Sequence, residues 1–382
     1  MDSSFHLGAG PMNKVRYHYF DYLRAIAMLL GIPLHACLAY GQIEYHWVLK
    51  DPSHSYLIDI GLDFLRLFRM PLFFVISGFF TALTIDSGLF LQKRTRRLLY
   101  PLLVFFILLI VPLKMAWVLM EVPDKLYALD FPFLIQYGME NFFAPATEEK
   151  FRHPPNWGHL WFLMYLYVFS LISVPLRNLI NFKIPRYSLL ILICFSASFL
   201  SLFLMKSHWV DQPFKMYPMI SLFTYYGTFF FFGWKLFNFK EHSLSKTASL
   251  ALLAAGVGFA TLRAYLEVDT HLGFAGHNLP IWILNLMGGL ATWTMVLGTI
   301  YSFKNYFNKP NKSISYFVDA SYFVYLIHLP IIIVLHIIFN RIDMNWMIKF
   351  PLVTITSLIG STLIFHFVVK EKMIDRFLKG NY

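Results

Sequence analysis

The chain has 382 residues, 58% of them hydrophobic and only 14% charged, with a formal net charge of +11. A soluble domain carries about a quarter charged residues, so an ordinary soluble protein is excluded; apolar runs of spanning length recur from end to end, the pattern of an all-α, polytopic membrane protein. The basic excess lies in short loops between those runs, where it reports topology, and nucleic acid is set aside as a partner.

In chain order, a polar tail (1–18) precedes ten predicted spans at 19–40, 57–85, 98–120, 159–180, 187–205, 217–238, 247–267, 279–302, 314–340 and 346–369. Each is close to the ~20 residues that cross a bilayer. The tail lacks a signal-peptide pattern, and the first span has no small-residue cleavage site, so that span is expected to stay in the mature protein. The third contains Pro101, Pro112 and Lys114 and is expected to kink. The loop 121–158 is acidic and rich in aromatics and prolines, and is expected to fold back over the outer face as a lid. A short tail follows from 370, and no internal repeat is visible, so residues 1–382 are read as a single membrane-embedded domain.

Basic residues alternate between the two loop sets. One holds Lys14 and Arg16, then Lys93 to Arg97, Arg177 to Arg186, Lys235 to Lys246, Lys304 to Lys312, and Lys370 to Lys379. The other holds Lys50, Lys125, Lys150, Arg152, Lys206, Lys215 and Arg341. Nineteen against seven assigns the first set, and with it both termini, to the cytoplasm. Such clusters also make anionic membrane lipid a partner.

An ionisable side chain at the centre of a span costs about 2.5–3.5 kcal/mol on insertion scales, and usually has a function. Arg24 and His35 bracket RAIAMLLGIPLH. At about 100° per residue, eleven residues bring them within about 20° of one helix face, about 16 Å apart along the axis. A snorkelling arginine with a structural histidine is the plainer reading. The second span carries Asp63, Arg66 and Arg69 before MPLFFVISGFF; the plainer reading of the three is an ion network that only holds charge in place, and Ser77-Gly78 is expected to admit another backbone. Arg94 and Arg97 follow in QKRTRRLLYP, as lipid anchors or as a grip on the phosphates of a nucleotide-like donor. His159 and Trp161, in NWGHLWFLMYLY, are expected near the outer interface, where tryptophan is commonly an anchor. Asp319, Tyr325 and His328 lie in DASYFVYLIHLP, the last two within one helical turn. His336 and His366 are read as structural, and Cys37 and Cys194 as small core residues.

No zinc-type spacing links the histidines, so no metal is assigned; no Gly-rich phosphate loop appears, and no Gly-x-Ser-x-Gly elbow. What remains is general-base catalysis by an imidazole. The alternative from another class is a proton-coupled transporter or a flippase for a lipid-linked sugar, with His35, His328 and Asp319 relaying protons.

Together these motifs resemble the membrane acyltransferase-3 family over about 17–369. Arg24-AIAMLLGIPL-His35 resembles its Arg-x10-His signature, Arg94-Thr-Arg-Arg97 its cytoplasmic Arg-x-x-Arg element, FFVISGFF its Ser-Gly-Phe segment, and HLWFL and SYFVYLIHLP its later motifs. Within the family the motifs are most similar to those of members that succinylate osmoregulated periplasmic glucans. The chain departs from the O-antigen acetylases in having only Gly41 where they carry a glycine pair, and, with only a short tail after the tenth span, it is expected to lack the esterase-like domain fused to some relatives. The resemblance implies a bacterial inner-membrane O-acyltransferase with no tightly bound cofactor. Its co-substrate would be acyl-CoA (succinyl-CoA or acetyl-CoA), its acceptor a periplasmic glucan or another envelope glycan, and glycan-synthesis proteins would be potential partners. Carried onto this sequence, Arg24, Arg94 and Arg97 would hold the CoA phosphates. His35 would be the base, with Arg69 or His328 stabilising the oxyanion or an acyl carboxylate. His159, Trp161 and Tyr325 would face the acceptor.

Overall fold

The structure is a computed structural model that describes residues 16–45, 47–143, 157–205, 210, 216–272 and 280–380. Lys14, Lys150, Arg152, Lys206 and Lys215 of the charge count, and the middle of the 121–158 loop, lie outside the described residues. The helices in chain order are α1 (His18–Leu29), α2 (Gly31–Cys37), α3 (Tyr56–Thr84), α4 (Phe90–Arg94), α5 (Tyr100–Leu119), α6 (Pro123–Tyr127), α7 (Phe131–Asn141), α8 (Trp161–Ile180), α9 (Tyr187–Met205), α10 (Ile220–Leu236), α11 (Lys246–Leu272), α12 (Ile281–Tyr306), α13 (Lys312–Asn340), α14 (Trp346–Ile364) and α15 (Met373–Lys379). Among the described residues the only β-type pairing is an isolated bridge between Gly41 and Ser55.

Nine helical stretches among the described residues are long and apolar enough to cross a membrane. The remaining predicted span, 217–238, is the shorter α10, which runs on through a 3-10 turn over Phe237–Phe239. The apolar window of α12 is 72% buried and that of α5 only 28%, so α12 belongs to the protein interior and α5 presents most of its surface to lipid. Near the centre, α3 packs against α1, α2, α8, α10, α11 and α12. Ser55 caps α3 by accepting the Leu57 N–H, and Asn311 caps α13 by accepting that of Ile314.

Prolines shape the bundle in ways the apolar pattern does not show. Pro33 has no N–H to offer the Leu29 carbonyl; α1 ends at Leu29 and α2 restarts at Gly31. Leu30 keeps right-handed helical dihedrals between the two, so His18–Cys37 still forms one span carrying both Arg24 and His35. The third span starts earlier than 98: α4 leads through a π turn, Thr95–Leu99, into α5. Pro71 frees the Leu67 carbonyl, which accepts the Thr292 hydroxyl of α12 at 3.0 Å. Pro101 cannot donate to the Arg97 carbonyl, which accepts the Tyr322 hydroxyl of α13 at 2.7 Å. In both cases a carbonyl left without its helical partner becomes an inter-helix attachment point.

Gly78 meets α10 backbone to backbone, as the small-residue pattern predicts. A Cβ on Gly78 would overlap the Phe230 carbonyl, and one on Gly233 would overlap that of Val75. We expect Gly78→Ala to destabilise the protein by about 1–3 kcal/mol through overpacking. Thermal unfolding in detergent checks this; an unchanged transition would mean that α3 and α10 are not in fixed contact.

The described part of the 121–158 loop is helical, and Tyr127 meets the end of α13 by accepting the Asn340 side-chain N–H at 3.0 Å. This part forms α6 and α7, and α7 packs along α5 with Gly138 against Met115. Phe131, Ile135 and Met139, four residues apart, are exposed on one stripe of α7, the pattern of a helix lying in the membrane interface.

Candidate active site

Two polar clusters occupy different depths of the bundle. The first collects the arginines. Arg24 on α1 lies 3.5 Å from Asp21 and within electrostatic reach of Arg97 and Asp319. Arg94 feels both Arg97 and Arg24. Arg94 is tied to the SGFF segment, donating to the Thr81 hydroxyl at 2.9 Å, and its guanidinium covers the Phe90 ring. Arg97 is held through its carbonyl by Tyr322. Three arginines from two spans thus converge at one end of the bundle, where mutual repulsion favours a bound polyanion.

The second cluster lies deeper. His35 of α2, His159 at the start of α8 and His328 of α13 form a triangle of rings, with centroids 5.3 Å apart for His35–His328, 5.2 Å for His159–His328 and 6.3 Å for His35–His159. Pro330 leaves the Leu326 carbonyl without its helical donor, and His159 Nε2 donates to that carbonyl at 3.1 Å. A carbonyl only accepts, so neutral His159 carries its proton on Nε2 and a lone pair on Nδ1. Tyr325 donates its hydroxyl to the His159 carbonyl, locking the two segments together. His328 Nδ1 donates to the Tyr325 carbonyl at 2.7 Å, which leaves Nε2 as the acceptor. That Nε2 has no hydrogen-bond partner among the described residues, and neither does His35 Nδ1.

Arg69 completes the cluster. Its Nη1 lies 2.8 Å from the position a Cβ on Gly31 would take, and His328 Nε2 lies 3.6 Å from the same point. Gly31 therefore leaves room for a guanidinium and an imidazole to approach the first span together. The arginine and histidine clusters are connected by α13: Asp319, Tyr322, Tyr325 and His328 recur every three residues, and from Asp319 to His328 the helix rises about 14 Å.

Comparison with known proteins gives a consistent result. A family profile described as an acyltransferase domain matches residues 17–366. The chain belongs to the acyltransferase-3 family. It is similar to glucans biosynthesis protein C of Escherichia coli O139:H28, 28% identical over 344 residues covering 84% of this chain and 83% of that protein. The protein of that name from Salmonella gallinarum is 26% identical over 342 residues, covering 83% and 82%. No solved structure matches. Family membership decides between the two function classes that the intramembrane histidines left open: the chain is a multi-pass membrane acyltransferase.

Within this acyltransferase, Arg24, Arg94 and Arg97 come together, as do His35, Arg69, His159, Tyr325 and His328. His159 does not stand apart at the outer interface; it is buried among the other histidines. Trp161 is also buried, against Tyr165 and Tyr226 at 5.3 Å each, and is no surface anchor. Asp63 takes its partner from α11: Arg263 bridges Asp63 and Glu267, all three buried. Arg263 and Glu267 thus join the ion network in which Asp63 takes part, and Arg66 lies within electrostatic reach of Glu267. Arg263 and Glu267, four apart inside an apolar run, were the available signal.

Trp47 carried no sequence signal. The segment between α2 and α3 folds inward, stacking Trp47 on His35 (6.1 Å, 16° between planes) while its Nε1 donates to His336 Nδ1 at 2.9 Å. It covers the histidine cluster on the side away from the arginines. Another link in this region, the buried Lys349–Asp51 pair at 2.8 Å, ties the same segment to α14.

Proposed function

We propose that this protein is an O-acyltransferase of the bacterial inner membrane. It moves an acyl group, succinyl in the first reading and acetyl in the second, from cytoplasmic acyl-CoA to hydroxyls of a periplasmic glucan or another envelope glycan. The observation that carries this reading is the arrangement of two clusters along α13: arginines suited to phosphate at one end, and imidazoles with open nitrogen lone pairs beside a guanidinium about 14 Å away. The excess of basic residues in the loops at the arginine end supports a cytoplasmic location for that end and for both termini. The name of the relatives supports a glucan as acceptor.

In the proposed reaction a sugar hydroxyl attacks the thioester carbonyl. The hydroxyl proton passes to an imidazole nitrogen, His35 Nδ1 or His328 Nε2, as the C–O bond forms. The C–S bond then breaks, and the departing thiolate takes the proton to leave as the CoA thiol. Arg69 stabilises the oxyanion of the tetrahedral intermediate, or holds the distal carboxylate when the acyl group is succinyl. Trp47 limits the access of water to the reacting atoms.

Mass spectrometry of periplasmic and surface glycans from cells with and without the gene tests the reading. A succinyl or acetyl increment that depends on the gene supports it and names the donor; identical glycans reject it. The donor side is checked separately. Arg24→Ala, and Arg94→Ala combined with Arg97→Ala, should weaken acyl-CoA binding by about 1.5–3 kcal/mol for each arginine–phosphate hydrogen bond removed. Unchanged affinity in purified protein would reduce these arginines to lipid anchors.

A further inference from the structure

Beside the histidine cluster, α3, α9, α10, α11 and α12 line a second polar cleft that opens to solvent, about 420 Å³ with the open part included. Asp63, Arg66, Tyr225, Tyr226, Arg263 and Asn285 are among the residues lining it. It lies toward the end of the bundle opposite the arginine cluster: Asp63 and Asn285 sit in the first turns of α3 and α12, and Val210, between α9 and α10, reaches it.

Asn285 is the informative residue. It is 2% exposed, and neither its Oδ1 nor its Nδ2 has a hydrogen-bond partner among the described residues. Buried amides are normally satisfied by protein or by ordered water, and the occupant that suits this one donates to one atom and accepts from its neighbour. Adjacent hydroxyls do both. The surrounding charges narrow the class further. Asp63 opposes an anion, Arg66 and Arg263 oppose a cation, and a neutral polyhydroxyl compound meets neither objection. Tyr225 and Tyr226 add aromatic rings to the lining.

We propose that this cleft binds a sugar ring of the acceptor, with Asn285 bridging two neighbouring hydroxyls. The proposal rests on the reading above that the acceptor is a glycan. It adds the acceptor's seat, centred on an asparagine that no sequence motif marked. The cleft and the chemistry share a wall: Arg69 lies within electrostatic reach of Tyr226 and Arg66 on one side and of Tyr325 on the other. Trp161 packs behind Tyr226 at 5.3 Å, so it supports the sugar site without facing the sugar. A chain seated here would approach His35 past Arg69.

The test uses purified full-length protein in lipid nanodiscs with a glucose hexasaccharide as the probe. Calorimetry gives the hexasaccharide Kd for the wild type, Asn285→Ala, Asn285→Ser and Tyr226→Phe, with acyl-CoA affinity measured on the same samples to report folding. Asn285→Ala should raise the hexasaccharide Kd by about tenfold or more, as expected when two hydrogen bonds are removed. Asn285→Ser should raise it less, and the apparent KM for the sugar in transfer assays should move in parallel. Equal Kd values in the wild type and the Asn285 variants would mean that the cleft holds only water, and would overturn the proposal. No binding by the wild type would overturn it as well. If Asn285→Ala fails to fold, the serine and Tyr226→Phe variants decide by the same criterion. A wild type that binds the hexasaccharide through Asn285 but never acylates it keeps the cleft and rejects acyl transfer to glucan.

Discussion

His35→Ala should lower acyl transfer by about 10²–10⁴-fold, the range for loss of a general base, while the protein still inserts and keeps its acyl-CoA affinity. His35 lies on a short helix between a proline break and an inward-folded loop. Its ring is stacked on Trp47, and its Nδ1 has no hydrogen-bond partner among the described residues. Nothing in that setting makes it a structural strut whose loss would unfold the bundle. His328→Ala should cause a loss of similar size, because His328 Nε2 is the other open lone pair and lies near Arg69. The double variant should be little worse than either single one, since groups acting on the same proton are not additive. Glycan acylation is measured at matched protein level. Transfer within a few-fold of wild type in His35→Ala would remove that residue from the chemistry and leave His328 as the base. Full activity in both single variants would displace the reaction from this cluster altogether.

Arg263→Met should be the most damaging substitution for stability. Arg263 is 2% exposed and lies between Asp63 of α3 and Glu267 of its own helix, which are themselves 4% and 2% exposed. Removing this cation leaves two buried carboxylates within electrostatic reach of each other, with Arg66 still acting on Glu267. Breaking a buried pair from one side costs about 3–5 kcal/mol, enough to deplete folded protein in the membrane. Replacing the whole network at once, Arg263→Met with Asp63→Asn and Glu267→Gln, should recover much of the loss, because the desolvation of three charges disappears with them. The melting temperatures of the single and triple variants in detergent make the comparison. An Arg263→Met protein that melts with the wild type would show that α3 and α11 are held by apolar packing alone. Arg263 also lines the polar cleft, so the triple variant, if stable, should bind acceptor poorly even where the fold is restored.

The sequence by itself determined the spans, the division of basic residues among the loops, and the residues worth watching. Crossing a bilayer demands about twenty consecutive apolar residues with internally bonded backbone, a local requirement that composition satisfies segment by segment. The cost of an intramembrane charge likewise belongs to single positions, which is why Arg24, His35, Arg69 and His328 stood out. Prolines were visible too, but not what their freed carbonyls would bind. The partner of the Leu326 carbonyl is His159, 167 positions away, and only the packing of α8 on α13 makes that bond and turns His159 into a third member of the histidine triangle. The partner of Asp63 comes from α11 for the same reason: a buried charge requires a counter-charge but does not say which helix supplies it. Trp47 shows where local reading ends. A tryptophan in a short loop resembles an interfacial anchor, and only the inward fold of that loop, held by Asp51–Lys349 and by the bond to His336, sets it over His35.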